Sequence, residues 1–336
     1  MVDIRGSRGP AMTDVARLAG VSHQTVSRVL NDHPNVKEQT RLRVRAAIAE
    51  LGYRPNRAAR TLVTGRSQLL GVVTLNSTLF GPASLLAAFE QAAAESGFAV
   101  SVASVVRLDR ESVAAAVDRH LDQRVAGLVV IAPTASAGEG LAALPAGVPV
   151  VTIDGDPNRA HGLVTVDQVA GARAATRHLL DAGHRTVWHV SGPPDWYDAA
   201  GRIEGWRRTL LEAGAEVPPP VQADWSAAAG YSAGQMLARM PEVTAVFTAN
   251  DHLALGLLRA LYERGRRVPE DVSVVGFDDV PEAAFLIPPL TTVRPDFAAV
   301  ALAGLDLLLA QMTDSEAAPG RIVVKPRLVV RNSVRT

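Results

Sequence analysis

The chain of 336 residues contains no cysteine, which removes disulfide frameworks, cysteine nucleophiles and thiolate zinc sites at once. Aromatic residues make up only 4%, and lysine is almost missing, with Lys37 and Lys325 the two lysines among 34 basic residues. Long hydrophobic runs are absent too. The best candidate, residues 297–310, is broken by Asp306, so nothing reaches the roughly 18 uninterrupted apolar residues of a membrane span. The opening MVDIRGSRGP has no apolar run of a secretory signal, so the expectation is a cytoplasmic protein with a loose segment at 1–10. No GxxxxGK[ST] phosphate loop, HExxH helix or GxSxG elbow occurs, and the eight histidines are scattered. No cofactor and no metal are therefore expected. Acids such as Asp154/Asp156 and Asp278/Asp279 could suggest a glycosidase, but nothing sets an acid against a nucleophile across a scissile bond.

Net charge is lacking as well, at zero from 34 basic and 34 acidic groups. The balance is an average over unlike parts. Residues 1–66 hold twelve basic and five acidic groups, a net of +7; residues 67–336 hold twenty-two and twenty-nine, a net of −7. A basic head on a mildly acidic body points to a polyanion bound at the head.

The head has the order of a helix-turn-helix. MTDVARLAG places Val15, Leu18 and Ala19 on one side of a short helix ended by Gly20, and small Ala16 lets a second helix approach. Ser22 caps that second helix, which runs through Leu30. His23, Gln24 and Arg28 sit on its N-terminal side, where glutamine matches adenine and arginine guanine in a major groove. Leu42, Val44, Ile48 and Leu51 predict a third helix, stopped by Gly52. Beyond Tyr53-Arg54-Pro55, Asn56 caps a helix of about two turns, too short to persist without a partner surface. Leu62 is apolar in this basic stretch and suited to wedge between base steps in a minor groove.

The run DVARLAGVSHQTVSRVLN followed by GYRPNRAARTL strongly resembles the LacI/GalR family of bacterial transcription repressors. The likeness continues through QRVAGLVV, ADWSAAAGY, ANDHLALG, VSVVGFDD and IPPLTTVRPDF, and so covers almost the whole chain. It implies DNA contacts from Ser22, His23, Gln24, Thr25, Ser27, Arg28 and Asn31 in the head, and from Asn56, Arg57, Ala59 and Leu62 in a hinge. One departure is Ala11, where family members usually carry a threonine that starts the first helix.

From residue 69 onward, β-rich runs alternate with helical ones: LLGVVTL, FAVSVASV, GLVVIAP, PVVTID, TVWHVSG, TAVFTAN and DVSVVGF. Such alternation predicts doubly wound parallel sheets, and the strand number predicts two α/β lobes. With the resemblance, which implies a periplasmic-binding-protein-like core, the fold class expected is an all-α helix-turn-helix headpiece on such a two-lobed α/β core. Its divisions are 11–55 for the head, 56–67 for the hinge and 68–336 for the core. The resemblance implies that within the core the first lobe takes about 68–164 and 296–323 and the second about 165–295 and 324–333, with crossovers near 163–167, 290–296 and 322–326.

Ligands of open α/β sheets bind beyond the carboxyl ends of strands. Those ends carry Asp154, Asn250-Asp251, Asp278-Asp279 and the loop leading to Arg202, with Trp225 after VQAD. Carboxylates, an amide, a guanidinium and an indole are how proteins hold sugars. The resemblance picks out Asp154, Arg202, Trp225, Asn250 and Asp278 as effector contacts, with Leu79, Pro82 and Phe297 as apolar pocket positions. Asp251 reads as a helix N-cap and Asp279 as structural, and Trp188 and Trp206 read as core. Leu75, Ile131, Asp198 and Pro295 differ from the residues at those pocket positions in the family member that the chain most resembles.

The expectation is a non-enzymatic repressor that binds pseudo-palindromic operator DNA as a homodimer and is released by a small sugar, with a β-galactoside the leading candidate. The chain ends at RNSVRT without a further heptad helix, which favours a dimer over a tetramer. A sugar-binding protein of a transport system, and a regulator whose effector acts as corepressor, stay open as alternatives.

Overall fold

The computed structural model describes residues 10–30, 32–53, 67–137, 147–156, 162–314 and 320–335. The chain folds as two compact units, Met1–Ser67 and Gln68–Thr336.

In the first unit, α1 (Met12–Ala19), α2 (His23–Leu30) and α3 (Glu38–Leu51) close on a core of Val15, Ala16, Ala19, Val26, Val29, Val44, Ala47 and Tyr53. Gly20 ends α1 in the left-handed region (φ 62°) and donates its N–H to the Ala16 and Arg17 carbonyls, a turn that side chains with a Cβ adopt only under strain. Ser22 accepts from the Thr25 N–H at 3.2 Å, as expected of an N-cap. Ala11 offers no such oxygen to α1, but Asp14 accepts from the Ala11 N–H at 2.9 Å and so keeps the reciprocal half of a capping box. Two expected core residues lie outside: Leu18 and Leu42 are exposed. Short helices bury a narrow stripe. In α1 it is Met12, Val15, Ala16 and Ala19, in α3 Val44, Ala47, Ile48 and Leu51, and Leu42 falls on the opposite face.

The second unit holds two six-stranded sheets of the same order. One runs β2 (Ala99–Val105), β1 (Leu69–Leu75), β3 (Gly127–Ile131), β4 (Val150–Ile153), β5 (Leu163–Val166) and β11 (Arg321–Val324). The other runs β7 (Val221–Gln222), β6 (Trp188–Ser191), β8 (Ala245–Thr248), β9 (Ser273–Phe277), β10 (Thr291–Arg294) and β12 (Arg327–Val329). All pairings are parallel except β10 with β12. Every residue of β3, β8 and β9 is buried, the reason these strands read as unbroken apolar runs. Helices α4 (Phe80–Glu95), α5 (Arg110–Asp122) and α10 (Phe297–Thr313) flank the first sheet. Helices α6 (Gln168–Asp181), α7 (Tyr197–Glu212), α8 (Ala227–Leu237) and α9 (Asp251–Glu263) belong with the second.

The chain passes between the sheets three times among the described residues: from β5 into α6, from β10 into α10 and from β11 into β12. Strand order reverses between β1 and β3 in one sheet and between β6 and β8 in the other, the switch points outside which crevices open. No helix among the described residues is long and apolar enough to cross a membrane.

Candidate functional site

A cleft opens where the carboxyl ends of the two sheets meet, as two adjoining hollows of about 300 and 340 Å³. Residues after nearly every strand line it. Leu79, Phe80 and Pro82 follow β1; Ile131 and Pro133 end β3; Asp154 ends β4. From the second sheet come Trp196, Asp198 and Arg202 after β6, Trp225 after β7, Asn250 after β8 and Asp278 after β9. Gln168, Pro295 and Phe297 line it at two of the crossings. All eight residues expected in the effector pocket fall on this one cleft. Sequence reasoning did not single out Phe80, Trp196 or Gln168, and treated Asp198 only as a departure. The signal available was position: Trp196 and Asp198 lie in the loop and first turn after β6, and Asp198 stands four residues before Arg202, on the same helix face.

Arg202 organises the second-sheet wall. Its Nε donates to Gln168 Oε1 at 2.9 Å and its Nη1 to the Ala249 carbonyl, while Nη2 lies 3.5 Å from Asp278 and 3.6 Å from Asp198. The guanidinium carbon stands 3.8 Å from the centre of the Phe277 ring, a stacked cation–π arrangement. Trp225 is buried, meets Trp196 edge-on at 5.4 Å, and lies against the Gly192 backbone, where any Cβ would collide with the indole. Its Nε1 is buried without a hydrogen-bond partner among the described residues.

Asn250, rather than Asp251, is the N-cap of α9: its Oδ1 accepts from the Leu253 N–H at 2.8 Å, and its Nδ2 donates to the Trp225 carbonyl at 3.1 Å. The expected cap, Asp251, is the first helical residue and points inward. It accepts from the Val280 N–H at 2.9 Å and the Thr292 hydroxyl at 2.6 Å, tying α9 to β10. Asp279 is held by Arg294 and, at 2.6 Å, by Arg331, a structural role as expected. Trp206 is core, with its Nε1 donating to the Val187 carbonyl at 2.8 Å.

Asp154, Asp278 and Asp279 all adopt positive φ (55°, 103° and 52°), a region aspartate enters more readily than most residues. Burial, reinforced by the Asp198 charge, pushes Asp154 up to about 7 despite the Thr165 hydroxyl it accepts at 3.1 Å. Burial also lifts Asp278 to about 7 against the opposing pull of Arg202, and it raises Asp198. Among the described residues no group of three histidines or acids could hold a metal ion.

In the head, Ser22, His23, Gln24 and Arg28 are exposed, and Thr25 and Ser27 are half-buried. Thr25 shares a hydrogen bond with Ser22 at 2.9 Å. Asn31, Asn56, Arg57, Ala59 and Leu62 lie outside the described residues.

Residues 11–56 match the profile of bacterial regulatory proteins of the lacI family, and residues 176–334 match that of the periplasmic binding protein-like domain. The lactose operon repressor of Escherichia coli (strain K12) is 37% identical over 322 residues, covering 95% of this chain and 89% of that protein. The chain belongs to the lacI family. Another family member, the HTH-type transcriptional regulator CelR of Thermobifida fusca, is 36% identical over 338 residues, 97% of this chain and 98% of that one. The solved structure of the lac repressor dimer bound to operator and the anti-inducer ONPF superposes with a TM-score of 0.88 at 35% identity, covering 98% of this chain and 100% of that chain. The CelR–cellobiose complex gives 0.71 at 34% identity, covering 96% and 99%. A lactose-operon protein and a cellobiose-bound regulator are thus about equally identical in sequence to this lacI-family chain, and overall identity does not choose between sugars.

Proposed function

We propose that this lacI-family chain is a sequence-specific DNA-binding transcriptional repressor that leaves its operator when a small sugar fills the cleft. One observation carries the reading: a basic helix-turn-helix head shares a chain with a cleft built of acids, Arg202 and a buried indole between two crossing-linked sheets. The head is residues 11–55, the hinge 56–67 and the core 68–336. Exposed Ser22, His23, Gln24 and Arg28, with Thr25, Ser27 and Asn31, read base edges and phosphates in a major groove, and arginine suits both contacts. Asn56, Arg57, Ala59 and Leu62 engage the minor groove, with Leu62 as the wedge. Two copies pair so that their heads meet inverted half-sites. The protein acts in the cytoplasm, on the nucleoid, and is not an enzyme.

In the cleft, Asp154, Asp278 and Arg202 take sugar hydroxyls, Trp225 packs on an apolar ring face, Asn250 adds a polar edge, and Leu79, Pro82 and Phe297 cover the remainder. A galactoside is one candidate, and the cellobiose bound by CelR makes a glucoside another. Both sheets contribute to the cleft, so a bound sugar favours one relative pose of the lobes. A tenfold loss of operator affinity needs only about 1.4 kcal/mol of such coupling.

The test is site selection from random duplex DNA with the full-length chain, followed by anisotropy titration of the enriched site. The expected result is an inverted repeat bound with a steep salt dependence and released at least tenfold by one of a panel of mono- and disaccharides. Failure to enrich any inverted repeat overturns the DNA-binding reading.

A further inference from the structure

We propose that Arg331, acting through Asp279, is a positioning residue of the cleft: it holds the turn that presents Asp278 to the sugar. The role rests on the reading of Asp278 as a sugar contact given above.

Asp278 and Asp279 follow β9 with φ of 103° and 52°, two successive residues in a region where glycine is the usual occupant. For Asp278 the angle lies beyond the small left-handed well at about 50–70°, so the turn persists only where its surroundings over-determine it. The cleft supplies little of this. The Asp278 carboxylate stands 3.5 Å from Arg202, longer than an ordinary hydrogen bond. The restraints come from behind. The Asp278 N–H donates to the Val293 carbonyl at 2.8 Å, and the Val280 N–H to Asp251 at 2.9 Å. Between them, the Asp279 side chain is 2% exposed and accepts from two guanidiniums, that of Arg294 and, at 2.6 Å, that of Arg331.

Of the two arginines, Arg331 is the anchored one, its side chain 16% exposed against 42% for Arg294. Its Nη1 donates to the Leu290 carbonyl at 2.7 Å while Nη2 takes Asp279, so one planar fork joins the entry to β10 with the turn after β9. Its own N–H donates to the Thr291 hydroxyl at 2.9 Å. The next residues are fastened to the same sheet. The Asn332 N–H donates to the Pro289 carbonyl at 3.0 Å, and the Ser333 hydroxyl donates to the Val274 carbonyl at 2.6 Å and accepts from the Thr291 N–H at 2.8 Å. The fork therefore reaches Asp279 from a fixed base. Lysine offers the charge but not both bonds in one plane. Without the fork, Asp279 keeps Arg294 alone of the two, and the turn relaxes so that Asp278 leaves its place beside Arg202. Arg335 is the natural comparison. It ties the same tail to the Ala182 and Gly183 carbonyls just past α6, and it is not among the residues that line the cleft.

The experiment has two arms, both on the full-length protein. In the first, calorimetry follows the tightest binder among galactose, lactose, glucose, cellobiose and ribose in Arg331→Met, Asp278→Asn and the double variant. The expected result is a loss of tenfold or more in Arg331→Met, with the double variant within threefold of Asp278→Asn alone, because both changes remove the same contact. Arg331→Lys falls between wild type and Arg331→Met, and Arg335→Ala binds within twofold of wild type. The second arm needs no ligand: carbon NMR on protein labelled at aspartate follows the Asp278 carboxyl, assigned by its absence from Asp278→Asn. Burial raises that carboxyl in the wild type, and in Arg331→Met it titrates nearer the ordinary carboxylate range. Melting curves establish that each variant folds, and Arg331→Lys carries both arms where Arg331→Met does not. Losses that add in the double variant, an affinity of Arg331→Met within twofold of wild type, or an unchanged titration overturns the positioning role and leaves the sugar reading standing. Binding by no sugar of the panel overturns the sugar reading, and the second arm then decides the hold on Asp278 alone.

Discussion

The two walls of the cleft come from sheets with identical strand order, yet their chemistry differs. The first-sheet wall is Leu79, Phe80, Pro82, Ile131, Pro133 and Phe297, with Asp154 its one charge among the described residues. Phe80 and Phe297 meet edge to face at 6.2 Å. The second-sheet wall is Asp198, Arg202, Trp225, Asn250 and Asp278, tied together by hydrogen bonds to Gln168, Ala249 and the Trp225 carbonyl. Directional contacts fix groups in place, whereas apolar contact is non-directional and survives sliding. The second wall is thus a preorganised reader, and the first an apolar cover joined to it at one edge, where the Ala135 N–H donates to the Asp195 carbonyl at 2.8 Å and the Tyr197 N–H to the Pro133 carbonyl at 3.0 Å. Such a division suits a ligand that alters lobe pose: directional specificity resides on one side and non-directional cover on the other.

The largest expected effect comes from breaking the reader. Arg202→Ala removes the cation between Asp198 and Asp278 and strips Gln168 and the Ala249 carbonyl of their donor. Breaking a buried ion pair costs about 3–5 kcal/mol, and proton uptake by the stranded acids offsets part of that. Urea unfolding should register the loss, and calorimetry should show sugar binding weakened more than a hundredfold. A variant within 0.5 kcal/mol of wild type on the order-of-magnitude scale of surface substitutions would mean that the wall is not organised by Arg202.

Breaking the cover should do less. Phe297→Ala removes one half of the Phe80–Phe297 contact at the start of α10, with a stability cost of about 2 kcal/mol for a partly buried ring. Sugar affinity should fall about tenfold or less, and Trp225 fluorescence should stay where it is, since the indole is held by the other wall. A fluorescence shift as large as that of Arg202→Ala would erase the distinction between the walls.

Much of this was legible in the sequence because the chemistry sits at strand ends. Asp154, Asn250 and Asp278 directly follow apolar runs that could be little other than buried strands, and Arg202 and Trp225 are soon after others. β7 and β12, of two and three residues, are too short for periodicity to mark. The cap of α9 was assigned to Asp251 rather than Asn250 because both residues can cap a helix. Only the fold shows that Thr292 and the Val280 N–H stand ready for the second carboxylate. Gly192 under Trp225 was equally hidden, since a glycine after a strand has many ordinary reasons to be there.

The smallest expected effect separates the walls by pH. Burial lifts Asp278 to about 7 on the second wall and Asp251, in the core behind it, to about 8, and lifts Asp154 to about 7 on the first. Folded acids with raised values hold protons more tightly than the unfolded chain, so their stabilisation is complete below the unfolded value and is lost as pH rises through the folded one. Buried His184 and His189 run oppositely: lowered to about 4, they lose their contribution as pH falls below 6.5. Between pH 6.5 and 8.5 the acids act alone within this set, and stability should decline with rising pH by on the order of 1 kcal/mol. Urea midpoints across that window measure the decline. Asp251→Asn, which cannot titrate, should flatten the portion above pH 7, whereas Asp154→Asn should flatten only the portion near 7. Stability that rises across the window would contradict the burial argument for both walls.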